Sequence, residues 1–581
     1  MATEWQNYLD EEGFSQFEEA RKLSDEYSLD DPEDDPYLSK YKAREILCSI
    51  KEKLKSQFEA NPDCEHLRFA SAALDVKLGS NYVDTEELPT GEEHLLRALD
   101  ELEKYRLHKD ASNIYHSILN NIGILWTGRR NQKKALEYFL RAESVYNDWK
   151  QEASGSPKSI EEYYRKFDED SEKLEYQRNQ AFEATYTHTL YYMAQVHAKL
   201  GDSKQSAQYC QTTLQRQLDS QTYDPYDWSI NAATLSQYYI TVGDFRQARH
   251  CLACSQLIFQ EIEANGSIKK DMETYEEKYT QAKADIEICW AKYGIALLEE
   301  SKDLLMKEVE DKGAEEKKST NDEKMKYQNF NLEVTFHEDK ITCDFVQVFS
   351  DAREVFLKVQ KWLNDAKEFY VFDGRCTDHI EVIQDQSRAF KVLAFFEMDL
   401  ERQCKMHKRR IDMLAAIVGE LNPQHYLLIM RQLTFELAEI FSQMVDLKYS
   451  IMESESPTPS RHIIKKINTL IQQSIEHYQT YMDSLKDGKP ELPEEFSDSN
   501  TRPALIAKFC MGRLHSKFLV SDVQQRLENI KKTSACYEFI INYCDKFPHG
   551  AEVVALELSV CREMVPLLPV KMEKIRQQAE M

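Results

Sequence analysis

"LNNIGILWTGRRNQKKALEYFLRAESVY", Leu119 to Tyr146, is the stretch on which the reading of the chain turns. Leu119, Ile122, Gly123 and Trp126 recur at the helical period, a short polar turn follows, and Ala135, Phe139 and Ala142 form a second helical stripe. The small Gly123 and Ala135 let two antiparallel helices approach closely, while Trp126 and Phe139 fill the space around that contact. This is the tetratricopeptide pattern, which implies a stack of such pairs.

The same template recurs downstream. In "THTLYYMAQVHAKLGD", Thr187 to Asp202, the corresponding positions are Leu190, Met193, Ala194 and His197, followed by a second helix holding Ala207. In "INAATLSQYYITVGDFRQARHCLACS", Ile230 to Ser255, they are Ala232, Leu235, Ser236 and Tyr239, then Ala248, Leu252 and Ser255. The turns Gly201-Asp202 and Gly243-Asp244 each close one helix and introduce the next. Degenerate versions follow at Phe435, Leu437, Ala438 and Phe441 and at Phe509, Gly512 and His515.

Composition agrees with an all-α chain. Only 16 Gly and 15 Pro are spread over 581 residues, too few for the tight turns of a sheet-rich protein. A net charge of −27, from 101 acidic and 74 basic residues, argues against nucleic acid and anionic membrane and favours a basic protein surface as partner. The 13 cysteines lack a disulfide framework, so free thiols in a reducing compartment are expected. "MATEWQNYLDEEGF" has no basic region leading into an apolar core, and no apolar run reaches membrane-spanning length. A soluble, cytoplasmic protein without membrane insertion is the expectation.

Three irregular stretches divide the chain. Residues 1–272 read as an N-terminal repeat subdomain, with an acidic irregular segment at 23–37 and an exposed inserted loop at about 149–180. Residues 273–330 read as a long linker helix running into a charged flexible break, and 331–581 as a C-terminal repeat subdomain.

No phosphate loop, nucleophile elbow or zinc-binding helix motif appears, so neither cofactor, metal nor catalytic residue is assigned and a non-enzymatic role is expected. "CLAC", Cys251 to Cys254, has no second pair at zinc-site spacing and reads as packing thiols. "CKMHKRR", Cys404 to Arg410, is a compact basic cluster read as a solvated face pairing with neighbouring acids. The many carboxylate pairs are individually uninformative.

A helical wheel of the Thr187 helix opposes the packing stripe with His188, Tyr192, Gln195 and Lys199. The same offsets give Ile230, Thr234, Gln237 and Thr241 in the next repeat and Ser117, Asn121 and Ile124 in the preceding one. Stacked normally, these form a neutral polar groove on the first helices. Lys199 alone is basic, which disfavours a clamp for a C-terminal carboxylate. Tyr192 and His188 either anchor a bound surface or pack against a neighbouring repeat; both readings stand at this level.

The strings "NNIGILW", "YTHTLYYMAQV", "WSINAATLSQYYI", "ARHCL", "DTEELPTGEEHLL", "TDHIEVIQDQSRAFKVLAFFE", "RQCKMHKRRIDML", "LNPQHYLL", "IVGELNPQ" and "MVPLLPVKMEKIR" closely resemble the kinesin-binding protein family from about Tyr37 to near the C-terminus. The resemblance implies a right-handed α-solenoid of irregular tetratricopeptide-like pairs in two subdomains. It further implies a monomeric, cytoskeleton-associated regulator that holds the motor domains of a subset of kinesins on its concave face, blocks their attachment to microtubules and so affects transport. Carried over string by string, Tyr192, Gln195 and Thr234 are expected contacts, joined by Asn422, Gln424 and Tyr426 of "LNPQHY". His188, Gln237 and Asn121 are secondary candidates. The alternative is a general repeat scaffold or co-chaperone that binds peptide segments.

Overall fold

Long helices form because few glycines and prolines interrupt them, and several begin at a side chain that caps the first free backbone N–H groups. The carboxylates of Asp202, Asp224, Asp244 and Asp522 accept from the N–H three residues on, at 3.1, 3.0, 3.0 and 2.8 Å. Each such cap contributes about 1 kcal/mol. Gly201 and Gly243 adopt φ of 82° and 77°, the left-handed conformation expected of a residue that closes a helix.

The computed structural model describes residues 4–32, 34–61, 63–152, 155–164, 171–264, 272–310, 330–455, 460–486 and 488–580. No strand occurs among them. They divide into two compact units, Met1–Val242 with Met325–Glu333, and Gly243–Lys324 with Val334–Met581. The charged break expected before residue 330 lies largely outside the described residues.

Longer helices of the N-terminal unit are α1 (Phe14–Asp25), α2 (Leu38–Ala60), α3 (Glu65–Asp84), α4 (Leu88–Leu102), α5 (Ser112–Gly128), α6 (Gln132–Glu152), α7 (Ser171–Lys199), α8 (Ser203–Ser220) and α9 (Pro225–Thr241). The α5–α6 pair packs as the sequence motif requires. A Cβ placed on Gly123 would lie 2.6 Å from the Phe139 ring, and Ala135 and Phe139 are fully buried. Gly79 stands in the same relation to Leu95 in the α3–α4 pair, at 2.6 Å. His197 belongs to the packing, stacked on Tyr209 at 5.5 Å.

The stretch expected as an exposed insertion at 149–180 is different where it is described. Helix α6 runs to Glu152 and α7 starts at Ser171, while Ile160, Tyr163 and Tyr164 between them are buried in the core. Tyr164 stacks on Phe17 at 4.6 Å and donates to the Ala70 carbonyl, and Tyr163 donates to the Asp110 carbonyl. Two tyrosines whose hydroxyls find backbone acceptors carry this charged segment inward. At the other end of the unit, Phe330 packs edge-on against Trp228 at 5.2 Å, and its N–H donates to Gln215.

The C-terminal unit contains α10 (Phe245–Ala264), α11 (Met272–Glu310), α12 (Phe349–Phe369), α13 (Cys376–Phe396), α14 (Leu400–Glu420), α15 (Leu427–Glu455), α16 (Arg461–Ser484), α17 (Asp498–Ser516), α18 (Val523–Lys546), α19 (Ala555–Met564) and α20 (Leu567–Glu580). The third sequence repeat is therefore divided, α9 belonging to one unit and α10 to the other. Helix α11, 39 residues long, packs against α12 through stacked Trp290 and Trp362, 5.4 Å apart, and through Gly294 against Val359. A Cβ placed on Gly512 of α17 would lie 2.6 Å from the Tyr537 ring of α18, repeating the α5–α6 arrangement.

Also on α11, Glu287 is half-buried; its burial, reinforced by Asp365 and Glu368 against the opposing pull of Lys283 and Lys361, pushes its carboxyl up to about 7. An acid whose folded pKa exceeds its unfolded value near 4.5 loses folding stability as pH rises from that value through 7. At pH 8 the penalty is up to about 3 kcal/mol. Glu287→Gln is expected to raise the melting temperature at pH 8 by several degrees, a gain that shrinks towards pH 5; equal gains at both pH values would contradict this origin.

Candidate functional site

First helices of successive pairs carry the candidate residues of the N-terminal unit. Asn121 is on α5, His188, Tyr192 and Gln195 on α7, and Thr234 and Gln237 on α9. Between α5 and α7 lies an open cavity of about 430 Å³ lined by Ser117, Asn120, Asn121, Ala184, Thr185 and His188. His188 lines it, and partial burial of the ring lowers its imidazole below the ordinary value. Asn121 turns its side-chain amide back to the Ser117 carbonyl at 2.9 Å.

Tyr192 packs against the neighbouring repeat, one of the two readings left open by the sequence. Its ring stacks on Phe139 at 5.8 Å with planes 8° apart, and His188 meets it edge-on at 4.9 Å. The residue is half-buried, burial raises its phenol above the usual value, and its hydroxyl makes no hydrogen bond with a described residue. A ring fixed by packing with a free polar tip is a low-entropy contact. Gln195 is half-buried and Thr234 exposed, each without a side-chain partner among the described residues, while Gln237 donates to the Ser236 hydroxyl at 3.1 Å.

Beneath this face runs a polar network that sequence reasoning missed. The Thr189 hydroxyl donates to Asn120 Oδ1 at 2.9 Å, and His116 Nε2 is 2.8 Å from the same hydroxyl. With Thr189 donating to Asn120, His116 donates through Nε2, which agrees with its buried Nδ1 having no partner. Complete burial, with a smaller contribution from His188, pushes His116 down to about 3, so the ring is neutral. Asn120 donates to the Thr185 carbonyl at 3.1 Å, and the Thr185 hydroxyl donates to Asn113 at 3.1 Å. The signal was present as polar residues four apart on both helices, but those residue types are common on any wet helix face.

The remaining candidates are in the C-terminal unit. Asn422 and Gln424 are exposed on the α14–α15 turn, and Asn422 Oδ1 accepts from the Gln424 N–H at 3.0 Å. Tyr426 is half-buried, its phenol raised by the neighbouring Cys376 side chain. Asn422 and Tyr426, but not Gln424, line a cavity of about 440 Å³ shared with the α12–α13 turn.

The first helices of this unit also line a groove of about 1010 Å³ that is charged rather than neutral, with Asp385, Arg388, Arg431, Glu436 and Glu439 among its walls. Burial raises both Asp385 and Glu439. Reading "CKMHKRR" as a solvated face is corrected here: Cys404, His407 and Arg410 are buried, because they share a helical face with Ile411 and Leu414. Arg410, 2 % exposed, donates to Glu436 at 3.1 Å and to the Ser387 hydroxyl at 3.0 Å. Burial, then the Arg410 charge, pushes His407 down to about 4. Lys408 remains exposed and pairs with Asp412 at 2.7 Å.

Cys251 and Cys254 are fully buried packing thiols. No group of His, Cys, Asp or Glu among the described residues is arranged to hold a metal ion, and no described helix is long and apolar enough to cross a membrane.

Fold and site together define an α-solenoid of tetratricopeptide-like pairs that presents polar side chains from its first helices. Residues 226–575 match the family model described as KIF-1 binding protein C terminal. The chain is 41% identical to the KIF-binding protein of Gallus gallus over 96% of both chains, and 38% identical to that of Danio rerio over 96% of both. The solved structure of a kinesin binding protein (KBP) covers 96% of this chain and 98% of its own, at 36% identity and a TM-score of 0.64. The chain belongs to the KIF-binding protein family.

Proposed function

We propose that this chain binds the motor domains of a subset of kinesins on the inner face of its helix pairs and thereby blocks their attachment to microtubules. The observation that carries this reading is family membership over nearly the whole chain, with relatives at 41% and 38% identity that bear the name KIF-binding protein. Charge supports it: a track-binding surface must complement an acidic filament and is basic, and a chain of net charge −27 competes for such a surface. Tyr192, Gln195 and Thr234 make the contact from the N-terminal unit, with Asn121, His188 and Gln237 flanking them. Asn422, Gln424 and Tyr426 contribute from the C-terminal unit. The action is steric and electrostatic, involves no chemical step, and is carried out by a monomer in the cytoplasm, where it limits microtubule-based transport.

Co-sedimentation of purified kinesin motor domains with microtubules tests this. Saturating protein is expected to keep a responsive motor in the supernatant, and unchanged pelleting of every motor tried would sink the proposal. Changing Tyr192 and Gln195 together to Ala is expected to raise the concentration needed by about tenfold or more, the loss typical of a central aromatic anchor.

A further inference from the structure

A second groove of the C-terminal unit, of about 1130 Å³, is built from the later helices of its pairs: α16, the start of α18 and the irregular segment Phe518–Ser521. It shares no lining residue with the charged groove of the first helices. Three cations line it, Arg461, Lys465 and Arg526, all exposed and none in an ion pair with a described residue. That departs from the first-helix groove, where Arg388 pairs with Glu299, Arg410 with Glu436 and Arg502 with Glu557. In a chain with 101 acids against 74 bases, three uncompensated cations around one groove form a local reversal of sign. Glu476 is the one acid among the lining residues, about four turns along α16 from Arg461 and engaged by Gln472 at 2.9 Å.

The Phe518–Ser521 segment beside α16 offers main chain. Asn468 acts towards Leu519 as a neighbouring strand does: its Nδ2 donates to the Leu519 carbonyl at 2.9 Å, and its Oδ1 accepts from the Leu519 N–H at 2.9 Å. Val520, next in the chain and half-buried, has neither its N–H nor its carbonyl paired with a described residue. Uncompensated positive charge beside an open stretch of backbone is the chemistry that receives a peptide in extended form, with main-chain hydrogen bonds setting its path and carboxylates meeting the cations.

We propose that this groove docks an extended acidic segment of a partner protein, its carboxylates on Arg461, Lys465 and Arg526 and its backbone on Val520. From Arg461 to Glu476 the helix spans about 22 Å, which an extended chain covers with about seven residues. The site is independent of the inner face proposed for kinesin motors.

The test is fluorescence anisotropy of the full chain with a labelled seven-residue peptide of alternating glutamate and valine, beside a peptide with lysine in place of glutamate. Only the glutamate peptide is expected to bind, with an affinity that falls steeply with salt. Arg461→Glu, Lys465→Glu and Arg526→Glu together are expected to weaken it about tenfold or more while leaving the melting temperature and motor co-sedimentation unchanged. Val520→Pro, which removes the free N–H, is expected to weaken binding severalfold without altering the salt slope. Absence of binding at millimolar peptide, equal affinity in the charge-reversed chain, or indifference to Val520→Pro would overturn the proposal. So would charge reversal that converts a dimer of the free chain to monomer, since the groove would then be occupied by a second copy.

Discussion

Gly123→Val is expected to destabilise the N-terminal unit by about 3 kcal/mol, at the severe end of overpacking. Even a single Cβ would stand 2.6 Å from the Phe139 ring, and that ring has nowhere to retreat: it is fully buried, stacked on Tyr192 and enclosed by Met193 and Val196. The helices must separate or the ring must leave its rotamer. Urea unfolding followed by circular dichroism measures the loss. Phe139→Ala alone is expected to cost about 3–5 kcal/mol by opening a cavity, but combined with Gly123→Val it should cost much less than the sum, because the added side chain occupies the space vacated. Strict additivity would mean that the two positions do not share one contact. Since Phe139 also supports Tyr192, Gly123→Val is expected to weaken the proposed motor binding in molecules that remain folded.

Arg410→Ala is expected to lower the stability of the C-terminal unit by about 2–3 kcal/mol, less than the loss of one member of a fully buried ion pair because Arg410 is buried but Glu436 is partly exposed on the groove. It deprives Glu436 and the Ser387 hydroxyl of their shared partner, joining α13, α14 and α15 at one point. The informative comparison is Arg410→Met combined with Glu436→Leu, which removes both charges while keeping volume. That pair is expected to recover most of the loss, since replacing a whole buried ion pair by apolar groups is often close to neutral. A double variant as unstable as Arg410→Ala would show that the hydrogen bonds made by the Arg410 guanidinium, and not an unpaired Glu436, account for the loss.

How much of this was legible in the sequence depended on which residues carried each contact. The α5–α6 pair could be read directly because Gly123, Trp126 and Phe139 are distinctive. The equivalent contacts of Gly79 with Leu95 and Gly294 with Val359 escaped notice, since an aliphatic partner looks like any other core residue. On α7, periodicity separated buried Met193 and Ala194 from the opposite face, but it could not reveal that Tyr192 is stacked and presented at once. Tyr163 and Tyr164 were hidden by the charged run around them. The charged groove of the C-terminal unit was missed for a related reason: Glu381, Asp385 and Arg388 at helical spacing look like a solvated face until neighbouring helices close around them.

The network of Asn113, His116, Asn120, Thr185 and Thr189 makes the α5–α7 contact a stepped ruler rather than a smooth bearing. Helices held only by methyl groups can glide by fractions of an ångström at little cost, whereas buried or half-buried hydroxyls and amides find acceptors only at particular offsets. A slip by a single residue breaks the Thr189–Asn120 and Thr185–Asn113 links together, and positions between settings have no compensating bonds. The spacing between Asn121 and His188 is accordingly indexed by chemistry one layer below them. Exchanges of the outward side chains on this face are therefore expected to be tolerated without readjusting the helices beneath.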